Sequence, residues 1–251
     1  MSIVVKIDGE VGVGKTSLAL TFPKPIIHMS TDVGGFERAA WRFQEDIKSE
    51  AIISRPYHIP QQAILDKLLG TAKQAKKLVG MRDLWYGRLL KDYVAALSDP
   101  SVATVIWDSW TQTWPLCTST YLEELQETNP SRTNLMEVEY TNPNIRMGSL
   151  IDAAKENGKN LVLVCHMADE RKDHIDPSTG KKESVLTGKR IADCWKRTDR
   201  VVDMIISVEL SSNKPKATIM QSKLVLDLTG MVYDDPSWQS IETAVKMLRG
   251  E

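Results

Sequence analysis

The sequence GEVGVGKT at residues 9–16, followed by Ser17, fits the pattern G-x-x-x-x-G-K-[ST] at every fixed position. Before it, residues 2–8 (SIVVKID) are short, apolar and β-branched, which predicts a buried strand. After it, residues 16–22 (TSLALTF) predict the first turns of a helix that Pro23 ends. A strand, a glycine-rich loop and a helix in this order predict a phosphate-binding loop.

Each fixed residue type has a physical reason in such a loop. Glycines permit backbone angles and close approaches that a side chain would block. Successive N–H groups then form a nest for phosphate oxygens, which also face the positive end of the following helix. Lys15 would reach the β- and γ-phosphates, and the Thr16 hydroxyl would bind Mg²⁺. The predicted nucleotide-binding residues are Gly9, Glu10, Val11, Gly12, Val13, Gly14, Lys15, Thr16 and Ser17. A glycine-rich turn without a ligand is the alternative, and the matched flanks disfavour it.

A second part of the site is predicted downstream. Residues 102–107 (VATVIW) form an apolar strand that ends on Asp108 and Ser109. An Asp in that position would hold Mg²⁺, usually through water, and complete the shell begun by Thr16. Asp108 and Ser109 could also cap the helix that follows, and both roles are compatible.

Two further strands end on polar residues. Residues 25–30 precede a loop at 31–35, where open α/β sheets place ligands. Residues 160–165 (NLVLVC) precede His166, which could touch the γ-phosphate or its attacking water. A hydrogen-bonded structural histidine is an equally good interpretation of His166 from spacing alone.

The order of elements predicts an α/β fold with a mostly parallel central sheet flanked by helices. Residues 201–209, 217–221 and 224–228 read as consecutive strands, and the short link at 211–216 favours an antiparallel hairpin. The sheet is therefore expected to have an antiparallel C-terminal extension. Residues 36–48 and 189–197 are predicted helices, and residues 236–248 a closing helix.

Composition excludes several classes of protein. The length of 251 residues and the absence of a convincing linker predict a single domain over residues 1–251. The formal net charge of −1 gives no global basic field. Cys117, Cys165 and Cys194 are widely spaced, which disfavours a zinc site or a disulfide framework and suits a reducing cytoplasm. No apolar run approaches the ~20 residues of a membrane span, and no signal peptide is expected.

Two segments carry charge without a clear role. Residues 167–188 are polar, contain turn residues at 176–180 and are predicted to form a long functional loop, although their charge is mixed. Residues 67–91 lie in a mainly helical region and are basic, which a solvated helical face explains better than a nucleic-acid surface.

These motifs resemble the RecA-like branch of P-loop ATPases, and within it phage-encoded nucleotide-binding proteins related to single-strand-annealing ATPases. The resemblance covers most of the chain. Its carriers are GEVGVGKTS (9–17), MSTDVGG (29–35), VIWDS (105–109), LVCH (163–166) and LTGKRIADCWKRTDRVVD (186–203). It implies a RecA-like ATPase that uses ATP and Mg²⁺ and acts on single-stranded DNA in recombination or annealing.

The resemblance also implies roles for particular residues. Asp32 stands where the family more often has a water-orienting Glu. Ser109 follows Asp108, so the adjacent catalytic Glu of AAA+ ATPases is missing. DNA contacts are implied for the loop after LVCH and for residues 128–147. Homo-oligomers are common among such relatives, and a single-strand-binding protein is a possible partner. Cations that could complete a neighbouring subunit's site are Lys189, Arg190, Lys214, Lys216 and Lys223.

Two other functions stay open at the level of sequence. One is a nucleotide-dependent assembly or partner-binding switch with little turnover, which the short Asp32 would suit. The other is a small-molecule kinase in which the loop at 167–190, with Lys189 and Arg190, closes as a basic lid. A GTPase is disfavoured because the guanine-reading motif N-K-x-D is absent.

Overall fold

The computed structural model describes residues 2–32, 34–59, 78–175 and 182–251. Nine strands of these residues form one sheet. They are β1 (Val4–Gly9), β2 (Ile26–Ser30), β3 (Ile52–Pro56), β4 (Thr104–Asp108), β5 (Asn160–Ile175), β6 (Lys182–Asp193), β7 (Met204–Ser211), β8 (Lys214–Ser222) and β9 (Val232–Asp234).

The sheet has the order β3-β2-β4-β5-β1-β7-β8-β9, with β6 paired to β5. Along the path β3-β2-β4-β5-β1-β7, each strand is parallel to the next one. Strands β8 and β9 continue the sheet antiparallel. Strands β1, β2 and β4 are buried along their whole length. Continuous apolar strands are typical of parallel sheets covered on both faces. The predicted fold class, a mostly parallel sheet with an antiparallel C-terminal extension, is therefore confirmed.

Helices cover the two faces of this sheet. They are α1 (Lys15–Ala19), α2 (Gly35–Ala40), α3 (Gln44–Lys48), α4 (Lys91–Ser98), α5 (Trp110–Thr128), α6 (Thr141–Glu156), α7 (Thr198–Val201) and α8 (Trp238–Arg249). A π-helical segment (Asp83–Leu90) runs into α4, and short 3₁₀ helices lie at Glu137–Tyr140 and Leu226–Leu228. No helix in the described ranges is long and apolar enough to cross a membrane.

Two hydrophobic clusters lie on opposite faces of the sheet. One packs α4, α5 and α6 around Trp85, Trp107 and Trp110. The other packs α1, α2 and α8 around Leu18 and Ile241. Successive side chains of a strand point to opposite faces, so each central strand contributes to both clusters. The central strands are thus packed by hydrophobic side chains on both faces of the sheet.

The predicted polar loop at 167–188 is wrong where the structure describes it. Strand β5 continues to Ile175 and pairs antiparallel with β6, with His166 opposite Asp193 and Ile175 opposite Lys182. We call the described residues 167–175 and 182–192 the β5–β6 arm. The backbone N–H and C=O groups of its two strands hydrogen-bond to each other. The arm therefore forms without the alternating apolar pattern by which a half-buried strand is recognised in a sequence.

Other boundaries also differ from the sequence prediction. The predicted helix at 189–197 is wrong, because β6 occupies that chain to Asp193. The predicted helix at 36–48 is split into α2 and α3. The predicted strand at 224–228 is replaced by a 3₁₀ helix, and β9 takes the third place in the extension. Propensity cannot distinguish such short apolar segments.

Some predicted features lie outside the described residues. They are the predicted turn at 176–180, the loop position Val33 and the basic residues between 67 and 77. Among the described cations of the basic stretch, Arg82 pairs with Glu127 and Arg88 lies over the Tyr57 ring. These two cations are thus partnered within the chain.

Candidate nucleotide site

The glycine-rich loop follows β1 and has the backbone that its sequence requires. Gly9, Gly12 and Gly14 have φ values of 153°, 83° and 100°, which L-residues rarely adopt. A β-carbon on Gly9 would also lie 2.2 Å from the carbonyl oxygen of Val208 on β7. Gly9 is therefore required by the packing of the sheet, whereas Gly12 borders open space.

Lys15, the first residue of α1, lies in the centre of the loop. Its Nζ donates hydrogen bonds to the carbonyl oxygens of Gly9 at 2.8 Å and Glu10 at 2.6 Å. Only 5% of the residue is exposed. Burial lowers the pKa of Lys15, and the carboxylate of Asp108 is the largest influence that opposes this. The loop thus contains a buried lysine at the position predicted to bind phosphate.

Asp108, at the end of β4, contacts the loop helix directly. Its Oδ2 accepts a hydrogen bond of 2.7 Å from the Thr16 hydroxyl. The residue is 1% exposed. Burial alone would raise the pKa of Asp108, but hydrogen bonds from His28 and Thr16 outweigh it, so the pKa is lowered. The two predicted Mg²⁺ ligands, which are 92 residues apart in sequence, are therefore in contact.

His28 is a residue of this site that the sequence analysis missed. It lies on β2, is fully buried, and places Nε2 3.4 Å from Asp108 Oδ2. Its Nδ1 lies 3.0 Å from Ser54 Oγ on β3. The only available signal was a polar residue inside the apolar strand PIIHMS, which predicts a buried group in need of partners.

Asp32 and His166 come together at the mouth of the site. Asp32 Oδ2 lies 4.0 Å from His166 Nε2 and 3.9 Å from a guanidinium nitrogen of Arg38. His166 Nδ1 is buried, and no hydrogen-bond partner for it is found in the part of the chain that the structure describes. The backbone N–H of His166 donates to the Thr111 hydroxyl. Arg38 is a second cleft residue that the sequence analysis missed.

The side chains of Lys15, Thr16 and Asp108 line one cleft together with those of Asp32, Arg38 and His166, and its volume is about 150 Å³. The parallel register explains it, because β1 and β4 end at the same edge of the sheet, where β5 passes into the arm, with Gly9 paired to His166 and Asp108 to Val164. The lining includes Val11, Gly12, Gly14, Lys15, Thr16, Ser17, Asp32, Arg38, Asp108 and His166. Of the predicted loop residues, Gly9 is the last residue of β1 and is not part of the lining, Val13 is buried in the core, and Glu10 faces the β5–β6 arm.

The donors in the cleft fit a nucleotide phosphate with Mg²⁺. Thr16 and Asp108 present hard oxygen atoms, which Mg²⁺ prefers. Lys15 supplies a cation beside the loop amides, and Gly12 leaves room for close approach of a ligand. The orphaned Nδ1 of His166 is a further polar group in the lining.

The five predicted trans cations have different surroundings. Arg190 donates through Nε and Nη2 to both carboxylate oxygens of Glu10, at 2.8 and 2.7 Å, and through Nη1 to Asp169 at 2.9 Å. Lys223 Nζ donates to the carbonyl oxygen of Arg200. Lys214 and Lys216 lie on β8, and Lys189 lies on β6 beside Arg190. Arg190 therefore contacts the glycine-rich loop of its own chain.

Comparison with known proteins agrees with this geometry. A family profile described as an AAA domain matches residues 1–228, which is most of the chain. No curated protein matches the sequence. The AAA domain is a domain of nucleotide binding and hydrolysis, and it typically uses Mg²⁺. With its glycine-rich loop, its parallel sheet and this match, the chain belongs to the AAA domain family of P-loop nucleotide-binding proteins.

Proposed function

We propose that this chain binds ATP with Mg²⁺ and hydrolyses it, and that it acts on single-stranded DNA. One observation carries the nucleotide part: Lys15, Thr16 and Asp108 line the same cleft as Asp32 and His166. Phosphoryl transfer needs positioning and charge stabilisation more than covalent chemistry from the protein. A lysine, two hard oxygen ligands, a carboxylate and an imidazole in one cleft provide both.

Each residue has a distinct role in this proposal. Lys15 and the loop amides hold the phosphates, and Thr16 and Asp108 hold Mg²⁺, which neutralises charge on the phosphate oxygens. Asp32 orients the attacking water, and His166 contacts the γ-phosphate or that water. The pairing of Asp32 with His166 supports this division, because the two side chains face each other across the cleft mouth at 4.0 Å.

The DNA part of the proposal rests on the β5–β6 arm. The arm continues directly from His166, so its base adjoins the cleft. Val185, Leu186 and Ile191 of the arm are exposed. The charge of the arm is mixed, but Arg171, Lys172 and Lys189 add cations, of which Lys172 lies 3.8 Å from Glu170. Apolar and cationic side chains together suit a single strand, in which bases and phosphates are both accessible. A homo-oligomer and a single-strand-binding partner remain predictions from the resemblance.

A second function, the nucleotide-dependent switch, is favoured by the pair between Glu10 and Arg190. This pair joins the glycine-rich loop to the arm. A nucleotide that moves the loop would therefore change the arm even without turnover. Hydrolysis and switching differ in whether phosphate is released.

The test measures phosphate release from ATP with and without Mg²⁺, and with and without single-stranded DNA. Lys15→Ala is the main variant, and Lys48→Ala on α3 is the matched control because that lysine is exposed and lies outside the cleft lining. We expect Mg²⁺-dependent hydrolysis that DNA stimulates. Lys15→Ala should lower the rate by at least about a hundredfold, since it removes a charge that the transition state needs, while Lys48→Ala stays near wild type.

Each other outcome selects a different function. Hydrolysis that Lys15→Ala leaves unchanged would contradict the assignment of the site. ATP binding without turnover would support the switch, and turnover that ignores DNA would contradict the DNA part. Phosphate transfer to a small acceptor in place of water would support a kinase.

A further inference from the structure

We propose that His28 is a positioning residue for Mg²⁺ binding, which acts by orienting Asp108 and is itself held by Ser54. The inference rests on the proposed function of the cleft, because it assigns a role in binding Mg²⁺ with nucleotide. It adds two residues, His28 and Ser54, that lie outside the glycine-rich loop and outside the cleft lining.

The sheet register places these groups on one line. His28 on β2 is the direct partner of Ser54 on β3 and of Ile106 on β4. Asp108 lies two residues beyond Ile106, so its side chain leaves the sheet on the same face as that of His28. The distances are 3.0 Å from Ser54 Oγ to His28 Nδ1 and 3.4 Å from His28 Nε2 to Asp108 Oδ2.

The chemistry of the groups fixes the direction of the hydrogen bond between His28 and Asp108. An ionised carboxylate only accepts, so His28 Nε2 carries the proton that faces Asp108. In the neutral imidazole Nδ1 then accepts, and the Ser54 hydroxyl donates to it. The Phe36 ring stacks on the imidazole at 4.9 Å between centroids, which restricts its rotation. His28 is therefore held in one orientation by a hydroxyl and by an aromatic face.

This arrangement fixes the carboxylate that would bind Mg²⁺. Asp108 Oδ2 is contacted from one side by the Thr16 hydroxyl and from the other by His28. Two contacts on one oxygen set the rotation of the carboxylate, and hence the direction of Oδ1. Groups that orient a metal ligand commonly change metal affinity about 10- to 100-fold when they are removed.

The experiment measures binding of a fluorescent ATP analogue while Mg²⁺ is titrated, and again in EDTA. His28→Leu removes the donor, His28→Gln keeps an N–H near the position of Nε2, and Ser54→Ala removes only the group that holds the ring. His58→Leu is the matched control, because His58 is exposed just beyond β3. Thermal unfolding of each variant is recorded alongside.

We expect His28→Leu to raise the half-saturating Mg²⁺ concentration about tenfold, with unchanged affinity in EDTA. His28→Gln should recover most of that loss, Ser54→Ala should lose a smaller part, and His58→Leu should match wild type. If His28→Leu does not fold, Ser54→Ala and His28→Gln decide the question. A role in stability alone would lower the unfolding temperature and leave the Mg²⁺ titration unchanged.

Two failures are distinguishable. A wild-type Mg²⁺ response that the His28 and Ser54 variants reproduce would overturn the inference and leave the proposed function intact. Wild-type protein that binds the ATP analogue equally well with Mg²⁺ and in EDTA would overturn the Mg²⁺ role of the cleft, and the inference with it.

Discussion

The cleft at the strand ends and the β5–β6 arm begin at the same residue, His166, but they are built differently. In the cleft Lys15 and Asp108 are almost fully buried, and each is hydrogen-bonded by a neighbouring element. In the arm the ion pairs of Arg190 are exposed, and so are the apolar side chains of Val185, Leu186 and Ile191. Buried polar groups must be satisfied in one geometry, whereas exposed ion pairs exchange easily with water.

The contrast assigns different tasks to the two regions. A fixed, buried arrangement of charges suits phosphoryl transfer, because the groups need no reorganisation during the reaction. An exposed two-stranded arm suits recognition, since its side chains can rearrange around a partner. The Glu10–Arg190 pair is the contact through which one region can affect the other.

The largest expected effect is a difference in the rate of ATP hydrolysis between variants of two carboxylates, one in the cleft and one in the arm. Asp108→Asn should lower the rate of ATP hydrolysis by roughly a hundredfold to a thousandfold, because it removes a buried charge beside the metal position. Asp169→Asn on the arm should leave DNA-free hydrolysis within about twofold, since its exposed ion pair contributes little. Steady-state phosphate release for both variants checks this. Equal losses of hydrolysis rate in the two variants would contradict the different tasks assigned to the cleft and the arm.

A second comparison uses two glycines and measures stability. Gly9→Ala should lower the free energy of unfolding by about 3 kcal/mol, because the new β-carbon meets the Val208 carbonyl and the backbone is strained. Gly188→Ala on the arm should cost about 1 kcal/mol, since its φ is 75° but no atom of the described chain lies within 4 Å of the added β-carbon. Urea unfolding measures both. A larger loss of unfolding free energy for Gly188→Ala than for Gly9→Ala would mean that the arm contributes more to stability than the end of β1.

The smallest expected effect on stability concerns the contact between the regions. Arg190→Glu should leave the free energy of unfolding nearly unchanged, because exposed ion pairs contribute little to stability. It should nevertheless abolish DNA stimulation of hydrolysis, because the substituted carboxylate would repel that of Glu10. The exchange Glu10→Arg with Arg190→Glu should restore stimulation if the pair carries the coupling. Stimulation that survives in Arg190→Glu would place the coupling elsewhere.

The glycine-rich loop shows how far sequence alone reached. Its glycines were predicted to adopt backbone angles that a side chain would block, and Gly9, Gly12 and Gly14 have positive φ values. Its flanks predicted β1 and α1 within a few residues. Apolar runs likewise predicted most strands of the parallel sheet. These features are local: backbone angles, β-branched runs and helix starts depend on neighbouring residues.

The arm shows where local signals ended. Its two strands bury little, so their polar sequence resembled a loop, and only their pairing with each other makes them strands. His28 shows the same limit inside the site. A histidine in an apolar strand indicates a buried polar group, but the partners of His28, Ser54 and Asp108, lie 26 and 80 residues away in the sequence. Register across three strands, which no local pattern specifies, brought them together.

The fold class, the glycine-rich loop and the polar residue types that follow the buried strands were therefore predictable from the sequence. The contact of Thr16 with Asp108 was among these predictions. Strand order and register, in contrast, were needed to bring together Asp32 with His166, His28 with Asp108, and Glu10 with Arg190. This is because backbone conformation and burial depend on short stretches of chain. The distance between two side chains depends instead on strand order and register over the whole sheet.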